Sequence, residues 1–392
     1  MSPQAPIPRR PVAALIGNGL SIAYDPALRL DAINRQIMKR ISADIGTSDS
    51  MASKALMEVA RGIHSGDPET DFEALIGALE QYAVSLRTLE PLAGIAGPHD
   101  AAVATALRTS SEFVDVLRNA GLSHVLEVIA TASRADHAAL VGVQGFIDSI
   151  IAAAGGARVT IGNLNYDALA MAALATAHRE DFCDMSDPRK AAHFQLWPSG
   201  PSLLGHPLRE RADFPMRQTR LLHLHGSLTW LRNRSTGLVA RFPIGDLRDY
   251  RYWHHLRAGV TDWHPEVVLT NQSFKSNAVL RAPYALAYET LGGALTASDH
   301  WLIAGYSFRD ACVNDMLRVR FEARVQAGIP PSVLVVTHGA TPTEFEVMNA
   351  VGHMPWDPAP WLSIYRGGGE TAGGSPEWNA WTTSAGQAAK AA

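Results

Sequence analysis

Ala14-Leu15-Ile16-Gly17-Asn18-Gly19-Leu20-Ser21 is the stretch on which the fold turns. The residues from Pro11 to Ile16 form a short apolar run, long enough for a buried strand and too short for a helix. The run breaks into Gly17-Asn18-Gly19, and a helical pattern resumes after the Asp25-Pro26 turn. Glycine has no Cβ, so a strand that ends this way lets backbone N–H groups come close to an anion such as a phosphate. The full dinucleotide fingerprint is not met, because the third glycine is missing and Ile22 follows Ser21. Alone, a Gly-x-Gly is equally well a plain tight turn.

The rest of the chain sets the bounds. Its 392 residues suffice for one large domain or two ordinary ones. A hydrophobic content of 47% with 18% charged residues describes a globular protein, and a net charge of −4 offers no basic field for nucleic acid or an anionic membrane. Met1 to Arg10 is Pro-rich with two arginines and has no signal-peptide hydrophobic region. No apolar run reaches the roughly 18 residues of a membrane span. Cys183 and Cys312 are too few for a four-cysteine zinc site and read as reduced thiols, so a cytoplasmic location is expected.

Residues 1–10 are expected to form a disordered arm, and the first strand with its glycine turn occupies 11–21. From Ala27 to about Ala154 the pattern is almost wholly helical, with weaker stretches near 46–50 and 91–99. That is too much helix for one crossover, so 27–155 is expected to be a helical insertion or cap. Asp71-Phe72-Glu73 opens one of its helices, with Asp71 as N-cap; these residues either close over a substrate or serve capping and core packing. Strand signals return at Arg158–Ile161, Leu221–His225, Glu266–Thr270, Trp301–Ala304 and Val333–Val336, the last clear strand. Residues 181–220 look loop-like, and 230–264 form a long excursion carrying Trp230, Trp253, His254, His255, Trp263 and His264. Those aromatics make either a stacking or partner surface or an ordinary aromatic loop. Helices are expected over 168–178, 279–295 and 310–327, and a mobile tail over 367–392. Short apolar strands alternating with helices indicate an α/β fold. It is a Rossmann-like, mostly parallel sheet with helices on both faces, built from 11–26 and 156–366, with a large helical insertion after the first strand.

Four strands end in polar or glycine clusters: Gly17-Asn18-Gly19-Leu20-Ser21, Asn163-Leu164-Asn165-Tyr166-Asp167, His225-Gly226-Ser227 and Gly305-Tyr306-Ser307. In an open parallel sheet these carboxyl ends converge on one crevice. Each residue also has a plainer use. Asn165 and Asp167 are suited to cap the helix from Ala168, and Asp310 is as good an N-cap as a ligand. Asn314, one turn on, either binds or packs. His223 and His225, two apart on a strand, share a face as metal ligands do, but no carboxylate or cysteine cluster completes a set.

Taken together, Gly-Asn-Gly-Leu-Ser, Asn-Tyr-Asp, His-Gly-Ser and Gly-Tyr-Ser-Phe-x-Asp-x-x-x-Asn resemble the sirtuin superfamily, and most closely the bacterial SIR2-like branch with NAD-hydrolysing antiphage effectors. The resemblance covers about 11–21 and 158–340. It implies cleavage of NAD+ to nicotinamide and ADP-ribose. Asn165 would hold the ribose hydroxyls or the attacking water, His225 would be the general base, and Asp167 would bind the carboxamide or steady the pocket. Gly17, Asn18, Gly19 and Ser21 would take the pyrophosphate, with Gly305, Ser307 and Asp310 at the adenine-ribose and phosphate end. Protein deacylases of the superfamily carry a zinc ribbon, which this chain lacks, and a Gln where Leu164 stands. NAD+ is thus expected as substrate, with no zinc. The alternatives are an NAD-dependent deacylase or ADP-ribosyltransferase, and a non-catalytic NAD- or ADP-ribose-binding module. By the same resemblance the expected partners are a homo-oligomer and a defence-system ATPase such as a HerA-type helicase, with no direct nucleic acid or membrane.

Overall fold

A computed structural model describes residues 9–44, 72–95, 101–133, 137–247, 250–269, 272–352 and 359–384, together with the single positions 54 and 58. The reading of residues 1–8 and of Asp71 lies outside the described residues.

The strand β1 (Val12–Ile16) is buried at every position. It sits near the middle of a seven-stranded sheet with β2 (Val159–Asn163), β3 (Phe182–Cys183), β6 (Thr219–His223), β10 (His300–Ala304), β11 (Ser332–Val336) and β12 (Leu362–Tyr365). The order is β12-β11-β10-β1-β2-β6-β3, and every pairing is parallel. Alternate residues of β1 serve opposite faces. Val12, Ala14 and Ile16 join one core with Phe146, Ile150 and Leu169, while Ala13 and Leu15 join a second with Leu291, Trp301 and Leu317. Period-two alternation with both faces apolar is why the strand reads as an unbroken hydrophobic run. Helices His137–Ala153 and Leu169–Ala177 supply the first cover, and Tyr284–Ala297 and Ala311–Gln326 the second.

Register aligns the strand ends. Ile16 pairs with Asn163 on one side and Ala304 on the other, Asn163 pairs with His223, and Ala304 with Val336. The polar residues that follow therefore emerge at one level. The chain leaves β1 toward β2 and β6 and later returns to β10 on the opposite flank, so the crevice lies where the strand order switches.

The described helices after β1 are Asn18–Tyr24, Leu30–Asp44, Phe72–Ile95 and Ala101–Ala132. The first starts directly at the glycine turn and not after Asp25-Pro26. Asp25 instead accepts from the Ala27 N–H and caps a single turn at Pro26–Leu28. Glu127 ties the insertion to the rest: its Oε2 accepts from Arg40 at 2.7 Å and from Arg257 at 2.8 Å.

Five sequence expectations are corrected. In place of the loop expected over 181–220 and the excursion over 230–264 stands most of a five-stranded antiparallel sheet, ordered β4-β5-β8-β7-β9. Its strands are Ala192–Gln195 (β4), Ser202–Pro207 (β5), Gly226–Asn233 (β7), Val239–Arg241 (β8) and Trp263–Val267 (β9). Trp230, Trp253 and Trp263 are buried, and Trp253 lies in a helix, Tyr250–Arg257, not on an exposed surface. The helix expected over 279–295 starts only at Tyr284, with Pro283 at its N-cap, and a separate helix, Gln272–Ala278, precedes it. A further strand, β12, follows Val333–Val336. Finally, the described part of 367–392 is not a mobile tail. Gly369–Ala372 and Pro376–Thr383 are helical, Trp378 packs edge-on against Phe146, and Trp381 Nε1 donates to the Ser332 carbonyl at 3.1 Å. Two indoles supply enough apolar area to hold that short segment down.

Candidate active site

A cleft of about 650 Å³ opens at the aligned strand ends. Gly17, Asn18, Gly19, Asn165, Asp167, His225, Gly305, Ser307 and Asp310 all line it. Leu28, Ile33 and Ile129 bring the helical insertion into the same wall. The volume suits a ligand of cofactor size.

The glycine turn is built against a second loop. Gly17 N–H donates to the Ala304 carbonyl, Gly19 N–H to that of Gly305, and Leu20 N–H to that of Gly17, each at 2.9 Å. A Cβ on Gly17 would lie 2.7 Å from the Gly305 carbonyl oxygen, and one on Gly305, whose φ is +63°, would lie 2.1 Å from the Leu20 nitrogen. These glycines are required by backbone-on-backbone contact, whatever the cleft holds. Gly17 and Gly19 thus point two N–H groups at protein and not at a ligand. Ser21 also departs from the expected anion role: it does not line the cleft but lies buried between Asn165 and Asp167.

Asn165 is held in one orientation. Its Nδ2 donates to the Gly17 carbonyl at 3.2 Å and to Ser21 Oγ at 2.8 Å. A carbonyl can only accept, so the network fixes which end of the amide is nitrogen. Ser21 Oγ in turn donates to Asp167 Oδ2 at 2.7 Å, and Asp167 Oδ1 accepts from the Leu169 N–H at 2.9 Å. Both Asp167 oxygens are therefore committed within the protein, and the capping use is realised alongside the relay. Burial pushes the Asp167 carboxyl above its ordinary range, against the lowering effect of Ser21 and Leu169. Asn165 Oδ1 is buried in the cleft wall and has no hydrogen-bond partner among the described residues.

The two histidines do not share a face. β6 ends at His223, which is fully buried with Nδ1 3.3 Å from Asn163 Nδ2 and its ring edge-on to Trp230. Burial pushes His223 down to about 4, so it stays neutral. His225 lies beyond the strand, where Gly226, at φ +84°, turns the chain into β7. Its Nε2 lies 3.3 Å from both Asp310 Oδ2 and the Tyr288 hydroxyl. Among the described residues, no group of three or more His, Cys, Asp or Glu is placed to hold a metal.

Asp310 stands beside His225 and not at a remote nucleotide end. Its Oδ1 caps the helix Ala311–Gln326 through the Val313 N–H at 3.2 Å, and its Oδ2 meets Lys275 Nζ at 2.9 Å. Burial alone would raise this carboxyl, but Lys275 and His225 outweigh it and hold it below the ordinary range. Asn314 packs: Tyr306 OH lies 2.8 Å from its Oδ1, and its Nδ2 donates to the Phe308 carbonyl. The sequence reading missed Lys275, Tyr288 and Tyr306. Lys275 sits in a polar stretch, 35 residues before the carboxylate it meets, and no local pattern marks it.

No curated protein matches the chain. Residues 159–348 match the family model described as the SIR2-like domain. The match runs from β2 to the helix Glu344–Ala350 and includes Asn165, His225 and Asp310, while β1, outside it, occupies the centre of the same sheet. Residues 159–348, with Asn165 and His225 at the aligned strand ends, thus form a SIR2-like domain, of a superfamily whose members are generally NAD-dependent enzymes.

Proposed function

We propose that the protein is a NAD+ glycohydrolase that releases nicotinamide and ADP-ribose. The observation that carries this reading is the buried, unpartnered Oδ1 of Asn165 in a cleft that also holds His225. A buried acceptor without a partner costs about 1–3 kcal/mol, and an O–H donor in the cleft relieves that cost. A ribose hydroxyl and a water are both such donors, and an acceptor fixed in direction aims a water well.

In the reaction the glycosidic C–N bond breaks and nicotinamide leaves as a neutral molecule. The ribose carbon gains its new C–O bond from water, whose proton passes to His225. His225 is suited to this work because an imidazole titrates close to neutral pH. Asn165 orients, and Asp167 and Ser21 keep Asn165 in place. The reading extends to depletion of NAD+ during phage infection by an oligomer with a partner ATPase. What speaks for that extension is the resemblance of the strand-end motifs.

The test is nicotinamide release from NAD+ by the purified protein, beside Asn165→Ala and His225→Ala. Wild-type release without any acceptor is expected, falling about 10²–10³-fold in Asn165→Ala and about 10²–10⁴-fold in His225→Ala. Release that requires an acyl-lysine peptide or a protein acceptor would make the enzyme a transferase instead. NAD+ binding by calorimetry with no release under any of these conditions would favour a binding module.

A further inference from the structure

At the cleft wall, four segments bring four polar side chains to one point. Lys275, from the helix Gln272–Ala278, places Nζ 2.9 Å from Asp310 Oδ2, and both side chains are more than nine-tenths buried. The same oxygen lies 3.3 Å from His225 Nε2, and Tyr288, from the helix Tyr284–Ala297, places its hydroxyl 3.3 Å from that nitrogen. Tyr306 and Cys312 are the other titratable groups close to the carboxylate.

Resting on the reading of His225 as the base, we propose that Lys275 is a positioning residue. It keeps Asp310 a carboxylate that accepts from His225 Nε2–H, and so leaves the basic lone pair of the neutral imidazole on Nδ1. The argument is one of charge and donor count. A carboxylate buried to this degree without a cation would take up a proton, and a carboxylic acid would then donate to Nε2 and reverse the tautomer. A bare carboxylate beside the ring would also favour the imidazolium, which cannot act as a base. The ammonium opposes both effects, because the ring then faces a paired carboxylate. Tyr288 is no rival for the tautomer, since a buried phenol stays protonated and its oxygen can accept from the same N–H.

The measurement is the long-range ¹H–¹⁵N ring spectrum of the histidines, with the His225 signals assigned by their loss in His225→Ala. The neutral ring is expected to carry its proton on Nε2. Losing Lys275 lets both Asp310 and His225 hold protons more tightly, so the titration midpoint of His225 is expected to move up by about one pH unit in Lys275→Met. Lys275→Arg is expected to keep the wild-type midpoint, and Asp310→Asn to abolish the Nε2–H preference. The acid limb of nicotinamide release should follow the midpoint upward in Lys275→Met. A lysine that only supports the fold would lower the rate and leave the limb in place.

An Nδ1–H tautomer in the wild type, or an unmoved midpoint in Lys275→Met, would overturn the proposal. Should Lys275→Met fail to fold, Asp310→Asn decides the matter by the same spectrum. The ring spectrum needs no turnover. The expected tautomer and midpoints in a protein that releases no nicotinamide would overturn the hydrolase reading and leave the relay standing.

Discussion

The two flanks of the cleft are polar in opposite ways. On the Asn165 flank a chain of hydrogen bonds runs from the Gly17 carbonyl through Asn165 and Ser21 to Asp167, with no cation among its hydrogen-bond partners in the described residues. On the His225 flank a carboxylate, an ammonium and an imidazole share one point. The first arrangement fixes a direction and leaves one acceptor open. The second holds charge in balance around a group that must gain and lose a proton. A reaction that needs both an aimed water and a poised base is served by keeping these tasks apart, since a charge beside Asn165 would compete for the same donors.

The largest disturbance of this contrast is expected where the flanks share backbone. Gly305→Ala places a Cβ 2.1 Å from the Leu20 nitrogen at φ +63°. Strain and overpacking together are expected to cost about 2–5 kcal/mol, visible as a lower midpoint in chemical denaturation and as loss of activity. Ser21→Ala should break the Asn165 flank alone. It leaves Asp167 Oδ2 and one Asn165 N–H without a partner, for an expected loss of about 1–3 kcal/mol. Nicotinamide release should fall while the His225 ring titration stays as in the wild type; movement of that titration would mean that the flanks are coupled.

A sharper comparison comes from pH. Asp167 is raised from its ordinary 3.8, so the stability it contributes is present below the unfolded value and is lost as pH rises through the folded one. Asp310 is lowered, so its contribution is present above 3.8 and is lost as pH falls through the folded value. In urea titrations across acid pH, Asp167→Asn should remove a fall of stability with rising pH above about 4. Asp310→Asn should remove a rise with pH below it. Slopes of the same sign in the two variants would refute the contrast. The smallest effect is expected from Tyr288→Phe, about 0.5–1.5 kcal/mol, with the His225 tautomer retained.

Most of the parallel sheet was legible because its strands are buried on both faces, which leaves runs such as Val12–Ile16 and Ser332–Val336 with little polar interruption. The antiparallel sheet was not. Ala192–Gln195 is mostly exposed and Ser202–Pro207 mixes exposed, half-buried and buried positions, so neither an apolar run nor a clean alternation marks them as strands. β12 is half-buried throughout and equally quiet. Asn165, Asp167 and His225 were legible as cleft-lining candidates because strand ends announce themselves. Their partners were not, since Ser21 was assigned to an anion from its motif and Lys275 meets Asp310 only through the tertiary fold. The C-terminal helices did carry a signal: Trp378 and Trp381 stand in a run of small residues, and two indoles in such company are anchors.

The position of β1 also has a bearing on synthesis. Val12 pairs with Val159 on one side and with His300 on the other. A ribosome adds about 5–20 residues per second, so this fully buried central strand waits roughly 10–30 s before its first neighbour exists, and longer before its second. Throughout that interval Val12-Ala13-Ala14-Leu15-Ile16 is an apolar edge with open hydrogen-bonding groups on both sides. The helices made in between are the first surface that can shelter it, and chaperone demand during translation should rise when they are shortened.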